Sequence, residues 1–223
     1  MRVATLVTGG KDSALALYKA MKEGHSVVYL VTMIPKRADS WMFHYPNIHL
    51  ADLFAEAVGI AHVKAETSGE KETELEDLKK VLASLDIEGV VSGAIASNYQ
   101  KTRIDQICKD LGLKSITPLW HQNPKELLEE LLALKIETII VGVYAHGFTP
   151  EWLGRKIDKA AVNALEELNR KYQVSLVGEG GEYETLVLDA PFFKKKIELV
   201  ETEKVWEKGS GYLRVKKAVL VAK

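Results

Sequence analysis

A short glycine turn near the N-terminus carries the side chains best suited to chemistry. It reads Thr8-Gly9-Gly10-Lys11-Asp12-Ser13, follows an apolar run over residues 3–7 and precedes a helical pattern over residues 14–22. Glycine lets the backbone approach an anion closely, and the free amides of a helix N-terminus then point at it. The segment also carries two hydroxyls, the mobile positive charge of Lys11 and the carboxylate of Asp12, which is a candidate magnesium ligand. We therefore predict a phosphate loop over residues 8–13.

The phosphate loop differs from two common nucleotide-binding patterns. A Walker A loop needs a glycine where this chain has Thr5, and a serine or threonine where it has Asp12. The loop also lacks the three spaced glycines of the dinucleotide fingerprint. An ordinary strand-to-helix turn is the simpler alternative, but such a turn requires neither Lys11 nor Asp12.

The elements that must position this loop alternate between strand and helix patterns through the first half of the chain. Further strands are predicted over residues 27–34, 61–65, 89–95, 115–119 and 137–143, and helices over 49–58, 72–85, 98–111 and 125–134. The alternation predicts an α/β fold with a doubly wound, mainly parallel sheet. Later, a helix over 156–172 and strands over 184–188, 196–200 and 212–221 predict a smaller antiparallel α+β unit. We therefore divide the chain into residues 1–130 and a smaller substrate-binding domain, residues 131–223.

Composition and charge exclude several classes of protein. The 223 residues are 47% hydrophobic and carry a formal net charge of -1, which argues against stable nucleic-acid or anionic-membrane binding. The chain shows no signal peptide and no apolar run near the ~20 residues that span a bilayer, so a cytoplasmic protein without a membrane partner is expected. The single cysteine, Cys108, excludes internal disulfides and cysteine-based zinc sites, and its helical position predicts a buried side chain.

Two segments contain more polar and aromatic residues than packing requires. Residues 41–49 form an aromatic loop before a helix, in which an N-cap is the alternative role for Asn47. Residues 92–103 end a strand in small residues and open a helix, where a surface salt bridge is the alternative for Arg103. The candidates for substrate contact in these segments are His44, Asn47, Ser97, Tyr99 and Arg103.

Two later segments are also unusual. Residues 144–155 leave a strand with two aromatics, two glycines and an arginine, although core packing would explain the aromatics Phe148 and Trp152. In Gly178-Glu179-Gly180-Gly181-Glu182-Tyr183-Glu184-Thr185, three glycines interleave with three glutamates, which is typical of a ligand or metal loop, with a solvated acidic turn as the alternative. The candidates for substrate contact are Gly147, Trp152, Gly154, Arg155, Gly180, Gly181, Glu182, Tyr183 and Thr185.

The position of the nucleotide follows from topology. In an open parallel sheet, ligands bind beyond the carboxyl ends of the strands. The loops that follow residues 7, 32 and 92 should meet there. We therefore expect the base and ribose of a nucleotide to lie against Met33, Ile34, Ser92, Gly93, Ala94 and Ile95.

These segments together resemble one enzyme family. The phosphate loop resembles the SGGxDS loop of the PP-loop ATP pyrophosphatases, with threonine in place of the first serine. Residues 178–185 resemble the most specific signature of the diphthine–ammonia ligases, and residues 92–95, 118–120 and 153–155 resemble further landmarks. The likeness covers essentially the whole chain. It implies a HUP-like PP-loop domain with a smaller C-terminal α+β domain.

The resemblance implies an ATP-dependent carbon–nitrogen ligase of diphthamide biosynthesis that needs ATP and Mg²⁺. The carboxylate of diphthine on translation elongation factor 2 would attack ATP to give an acyl-adenylate and pyrophosphate, and ammonium would then displace AMP. The ATP-binding residues implied are Thr8, Gly9, Gly10, Lys11, Asp12, Ser13, Met33, Ser92, Gly93, Ala94 and Ile95. The catalytic residues implied are Lys11, Asp12, which also holds the metal, Ser13, and Glu182 and Glu184, which bind ammonium or take its proton.

Several points stay open at the level of sequence. Glu182 and Glu184 have the alternative roles of holding metal or capping loop amides. The trimethylammonium group of diphthine could meet aromatic faces by cation–π contact, with Trp41, Tyr45, Phe148 and Trp152 as candidates. Another small-molecule carboxylate, a tRNA-base substrate or a non-catalytic nucleotide-binding role are the alternative functions, and a homodimer is one open oligomeric state.

Overall fold

A five-stranded parallel sheet forms the first half of the molecule in the computed structural model, which describes residues 1–35, 47–67 and 71–223. Its strands are β1 (Arg2–Leu6), β2 (Ser26–Pro35), β3 (Ala61–Thr67), β4 (Gly89–Val91) and β5 (Lys114–Ile116). They lie in the order β3-β2-β1-β4-β5. Because β1 pairs with both β2 and β4, the strand order switches at β1, and the phosphate loop leaves the sheet at this point.

Helices cover both faces of this sheet. They are α1 (Lys11–Lys22), α2 (Ala51–Val58), α3 (Lys71–Ala83), α4 (Asn98–Leu111) and α5 (Pro124–Ala133), with a single 3-10 turn over Ile48–Leu50 before α2. On one face, Leu78 of α3 and Ile104 of α4 pack against Val31 and Val90. On the other face, α1 and α2 share a larger core with the rest of the molecule. The predicted doubly wound α/β architecture is confirmed.

The second half forms an antiparallel sheet, as the glycine-separated strand patterns predict. Its strands are β6 (Glu137–Val143), β7 (Tyr183–Asp189), β8 (Lys196–Glu207) and β9 (Ser210–Val221), in the order β7-β6-β9-β8, and α6 (Lys159–Tyr172) lies between β6 and β7 in the chain. The β8–β9 hairpin is longer than predicted. Its turn residues Lys208 and Gly209 both have positive φ, the conformation of a two-residue turn that suits the twist of long strands.

Four predicted boundaries are wrong by a few residues. The strands predicted to reach residues 95 and 119 end at Val91 and Ile116, because β4 pairs with its neighbours only over Gly89–Val91. The helix predicted from residue 156 begins at Lys159, since the Asp158 carboxylate caps it by accepting the Ala161 amide at 2.8 Å. The first helix begins at Lys11 rather than at residue 14.

The helix α1 is buried on nearly all sides. Ala14, Leu15, Ala16, Leu17 and Ala20 are all 3% exposed or less, and they belong to the same core as Leu186 and Val187 of β7. The helix contacts β1 and β2 of the first sheet and β7 of the second, while its C-terminal residues Met21 and Lys22 are exposed. The two sheets therefore enclose the helix that carries the end of the phosphate loop.

The structure tests two expectations from composition. Cys108 is 1% exposed, as predicted, and burial raises the pKa of its thiol to about 11, so the reactive thiolate is suppressed at neutral pH. Within the described ranges, no helix is long and apolar enough to cross a membrane.

Asn47 joins the second sheet to the segment before α2. Its Nδ2 donates to the Leu213 carbonyl at 2.8 Å, and its Oδ1 accepts the Val215 amide at 3.0 Å, both in β9. The residue is buried and has a left-handed backbone with φ of 60°. Asn47 holds the N-cap position of the 3-10 turn, as the alternative interpretation has it, but its side chain bonds to no amide of that turn in the described structure.

Replacement of Asn47 by glycine should destabilise the fold by about 1–3 kcal/mol, because two buried backbone groups of β9 lose their partner. Glycine suits the left-handed backbone, so this variant isolates the side-chain bonds. The measurement is the free energy of unfolding in urea. Asn163→Ala on the exposed face of α6 is the control and should change it by less than about 0.5 kcal/mol. An equally small change for Asn47→Gly would contradict the expectation.

Candidate active site

A cleft of about 570 Å³ opens at the carboxyl ends of β1 and β4. Three parts of the chain line it: the phosphate loop, the residues that leave β4 and enter α4, and a stretch from Val177 to Thr185 in the second half. We call residues 92–97 the β4 exit segment and residues 178–185 the glycine–glutamate segment. The structure thus brings together three of the segments that the sequence singled out.

Hydrogen bonds to the second sheet hold the backbone of the phosphate loop in place. The Gly9 carbonyl accepts the Val187 amide of β7 at 2.9 Å, and the Lys11 amide donates to Thr185 Oγ1 at 3.0 Å. Gly9 has a φ of 86°, which favours glycine. Within the loop, the Thr8 amide lies 3.4 Å from Ser13 Oγ. The loop conformation therefore depends on residues more than 170 positions later in the chain.

Lys11 is a buried cation rather than the mobile charge expected from the sequence. Its Nζ lies 2.9 Å from both carboxylate oxygens of Asp12 and 2.5 Å from the Val177 carbonyl, and it is 4% exposed. The Tyr183 ring centroid lies 5.3 Å away. A buried ammonium needs compensation of this kind, and here both halves of the molecule supply it. Asp12, by contrast, is 38% exposed and lines the cleft.

Gly93 brings the β4 exit segment against the phosphate loop. A Cβ atom built on Gly93 would lie 2.8 Å from the Asp12 carbonyl carbon and 2.9 Å from its oxygen. Gly93 thus lets the first turn of α1 approach closely, and it also lines the cleft, so its contact with the nucleotide stays a prediction. Its neighbours Ser92 and Ala94 line a smaller, mostly apolar pocket of about 130 Å³ with Met33, Val31 and Ile104. This pocket is contiguous with the phosphate loop, because Thr8, Asp12 and Ser13 line both cavities.

Glu179 bonds to the start of α4. Its Oε1 accepts the backbone amides of Ile95 at 3.2 Å, of Ser97 at 2.7 Å and, between them, of Ala96. Ser97 is the N-cap residue of α4, and its Oγ accepts the Gln100 amide at 3.4 Å. The carboxylate therefore occupies the positive end of a 14-residue helix.

The two candidate acid–base glutamates differ in their surroundings. Glu184 lines the cleft, and its Oε2 lies 3.4 Å from the Tyr144 hydroxyl. Glu182 is not among the residues that line it; its Oε1 accepts the Ser175 amide at 3.1 Å, while its buried Oε2 has no hydrogen-bond partner within the described structure. Of the two, Glu184 is the better placed to meet a substrate.

Other predicted site residues are split between the cleft and the core. Gly180, Gly181, Thr185 and Tyr99 line the cleft. Arg103 stacks on the Tyr99 ring, with its Cζ 3.5 Å from the ring centroid. Tyr183 lines the cleft with a buried side chain, and its hydroxyl donates to the Leu176 carbonyl at 2.6 Å. Burial, with the nearby Asp12 and Glu182 carboxylates, raises the pKa of Tyr183, which keeps it a neutral phenol.

The aromatic loop after β6 packs into the core. Phe148 and Trp152 are buried with their ring centroids 5.2 Å apart, and the Arg155 guanidinium lies 4.4 Å from the Trp152 centroid. The core-packing interpretation is therefore supported for both aromatics. Gly147 faces the Tyr172 ring, and Gly154 borders a separate groove of about 410 Å³ on the second sheet.

Of four further candidates, one lies away from the cleft and three lie outside the described residues. Asn47 is bonded to β9 and is not part of the cleft lining. His44, and the aromatic candidates Trp41 and Tyr45, lie outside the described residues. Sequence reasoning missed Glu179 and Gln100 as individual residues, although both belong to segments that it singled out. The alternation of glycine and glutamate marked the loop, but gave no sign of which carboxylate turns towards α4.

Comparison with known proteins decides the family. The model of the diphthamide synthase N-terminal domain matches residues 1–115, and that of the C-terminal domain matches residues 123–221. The chain belongs to the diphthine–ammonia ligase family. The resemblance inferred from the motifs is therefore confirmed, as is the prediction of an ATP-dependent ligase.

The relatives in this family span most of the chain. A diphthine–ammonia ligase of Rattus norvegicus is 38% identical over 96% of this chain and 89% of its own length, and one of Homo sapiens is 34% identical over the same shares. One of Schizosaccharomyces pombe is 37% identical over 98% of this chain and 40% of its own length. Among solved structures, a predicted subunit of tRNA methyltransferase from Methanocaldococcus jannaschii gives a TM-score of 0.48 at 19% identity, with 86% of this chain and 98% of that one covered.

Gly93→Ala should weaken ATP binding at least about tenfold, or by about 1.4 kcal/mol, because the new methyl group must displace the backbone of Asp12 and deform the phosphate loop. The measurement is the Kd for Mg-ATP by calorimetry. Gly24→Ala, at a glycine with a positive φ and open space around it, is the control for backbone strain and should bind normally. An unchanged Kd for Gly93→Ala would contradict the expectation.

Proposed function

We propose that the protein amidates the carboxylate of diphthine on translation elongation factor 2 with ammonium, through an acyl-adenylate, and releases AMP and pyrophosphate. The observation that supports this most is that the phosphate loop and the acidic glycine–glutamate segment face each other across one cleft. A phosphate loop alone is compatible with many ATP reactions. The carboxylates of this segment can bind ammonium and accept a proton from it to release ammonia. Ammonia is the nitrogen substrate in the name of the similar diphthine–ammonia ligases.

In the proposed binding mode, the triphosphate lies along the phosphate loop and the base enters the apolar pocket of Val31, Met33 and Ile104. The first turn of α1 faces the phosphates with its backbone dipole. The buried Lys11 adds a fixed positive charge beneath this turn. Because these groups are already held in place, they need little rearrangement when negative charge develops on the departing pyrophosphate.

The donor set fits Mg²⁺ held jointly by protein and nucleotide. Magnesium in such sites takes one or two carboxylates and completes its shell with phosphates and water. Asp12 supplies such a carboxylate at the edge of both cavities, whereas the described residues contain no group of three or more His, Cys, Asp or Glu side chains that could hold a metal. When bound, the ion would neutralise charge on the leaving pyrophosphate.

In this reaction the protein mainly positions the reactants, and no side chain forms a covalent intermediate. A carboxylate oxygen of diphthine attacks the α-phosphorus of ATP, and the bond to pyrophosphate breaks. Ammonia attacks the resulting acyl-adenylate, AMP leaves, and the nitrogen loses a proton. We assign Glu184 to bind ammonium and take up its proton, because this residue lines the cleft. Glu182, with one oxygen on the Ser175 amide, would support the segment.

The direct test is AMP formation from Mg-ATP and ammonium, with and without elongation factor 2 that carries diphthine, and with the mass of the factor measured in the same reaction. We expect AMP only with the factor, together with replacement of a hydroxyl by an amino group. Asp12→Ala is the inactive control. AMP without a mass change would redirect the search to another carboxylate, and no AMP under any condition would refute ligase activity.

Glu184→Gln should lower the rate of amide formation by about 100-fold while the Kd for ATP stays within about twofold, because only ammonium handling loses its carboxylate. The exposed Glu167→Gln on α6 is the matched control and should behave like the unaltered protein. Amide formation at the normal rate in Glu184→Gln would remove this residue from the mechanism. Glu182→Gln, measured alongside, compares the two glutamates.

A further inference from the structure

We propose that Glu179 is a positioning residue, which docks residues 178–181 on the N-terminus of α4 and thereby holds this wall of the cleft in place beside the phosphate loop. This inference rests on the proposed function of the cleft. It assigns a role to a glutamate that makes no direct contribution to ATP binding or to proton transfer in the mechanism above. Three features of the structure support it.

The first feature is the geometry of the contact. One oxygen of Glu179 accepts the amides of three consecutive residues, Ile95, Ala96 and Ser97, at the point where α4 begins. Hydrogen bonds to a charged carboxylate are about twice as strong as neutral ones, and the partial positive charge of the helix end adds to them. The contact joins residues more than 80 positions apart, so it is a tertiary contact and not a local turn.

The second feature is the lack of other side-chain constraints on the start of this segment. Gly178, Gly180 and Gly181 have no side chain, and Gly178 and Gly181 have φ of 69° and 81°. Glycine loses more conformational freedom on ordering than any other residue. Inside the segment, the Gly181 amide lies 3.1 Å from the Gly178 carbonyl, and the Glu179 amide 3.4 Å from Ser175 Oγ. Glu179 therefore supplies the side-chain contact of residues 178–181 with the start of α4.

The third feature is the way the three walls of the cleft are joined. The phosphate loop is bonded to β7 through Thr185 and Val187, and the β4 exit segment meets the phosphate loop at Gly93. The Glu179 contact joins the glycine–glutamate segment to the β4 exit segment and closes this ring of contacts. Loosening the Glu179 contact therefore displaces the part of the cleft wall formed by Gly178, Gly180 and Gly181.

The test compares Glu179→Ala and Glu179→Gln with the exposed Glu167→Ala as control. A misplacement of about 1 Å can cost about 100-fold in rate, so we expect Glu179→Ala to lower kcat for amide formation by about that factor. The KM for ATP should change less than about threefold, since in the binding mode above the phosphate loop and the pocket of Val31, Met33 and Ile104 hold the nucleotide. Glu179→Gln keeps an acceptor oxygen for the three amides, and should recover at least about tenfold of the lost rate.

Hydrogen exchange of the Ile95, Ala96 and Ser97 amides gives a readout that does not depend on activity. Glu179→Ala should accelerate their exchange, while the urea midpoint stays close to that of the control. Unchanged exchange, a normal kcat, or a kcat loss matched by an equal rise in KM for ATP would each overturn the positioning role. If the unaltered protein forms no amide on the factor, the proposed function fails, whereas the exchange rates still decide whether Glu179 docks the segment.

Discussion

The docking of the phosphate loop against β7 is the contact on which the site depends. Two backbone groups of the loop, at Gly9 and Lys11, bond to Val187 and Thr185, and the Lys11 ammonium lies between Asp12 and a carbonyl of the second half. An isolated ammonium in such a dry position is strongly unfavourable, so the charge itself requires both halves to be in place. The anion site therefore belongs to the interface of two sheets, although its residues come almost wholly from one.

Periodicity alone predicted most of the fold, because the first sheet is built from buried parallel strands and amphipathic helices. The strand over Glu137–Val143 and the helix over Asn98–Leu111 have the predicted bounds. Errors occur where tertiary contacts set the ends. The edges of β4 depend on its partners, and the start of α1 depends on how the loop packs. The outer half of the β8–β9 hairpin is rich in charged residues, so the hydrophobic pattern that marked its inner half fades there.

The site was predictable to the level of segments but not of individual side chains. The rule that loops meet at the carboxyl ends of parallel strands brought the phosphate loop and the β4 exit segment together. Nothing in the spacing of Glu179, Glu182 and Glu184 shows that the first bonds to α4, the second to Ser175, and the third lines the cleft. These differences arise from backbone turns at glycines, whose many accessible conformations leave the direction of each neighbour undetermined by sequence. Phe148 and Trp152 show the opposite case, in which the simpler packing role was correct.

The hydrogen bonds between the phosphate loop and β7 also determine when the nucleotide site can form during synthesis of the chain. A ribosome releases the phosphate loop and the whole first sheet before it has synthesised Thr185 and Val187. The parallel strands can pair by then, but the side of α1 that packs against β7 is still uncovered, and the phosphate loop still lacks its hydrogen bonds to β7. Contacts of such long sequence separation form late, after a large loss of chain entropy. The nascent chain therefore acquires its nucleotide site only after β7 has been synthesised, and the apolar side chains of α1 stay exposed to other chains and to chaperones until then.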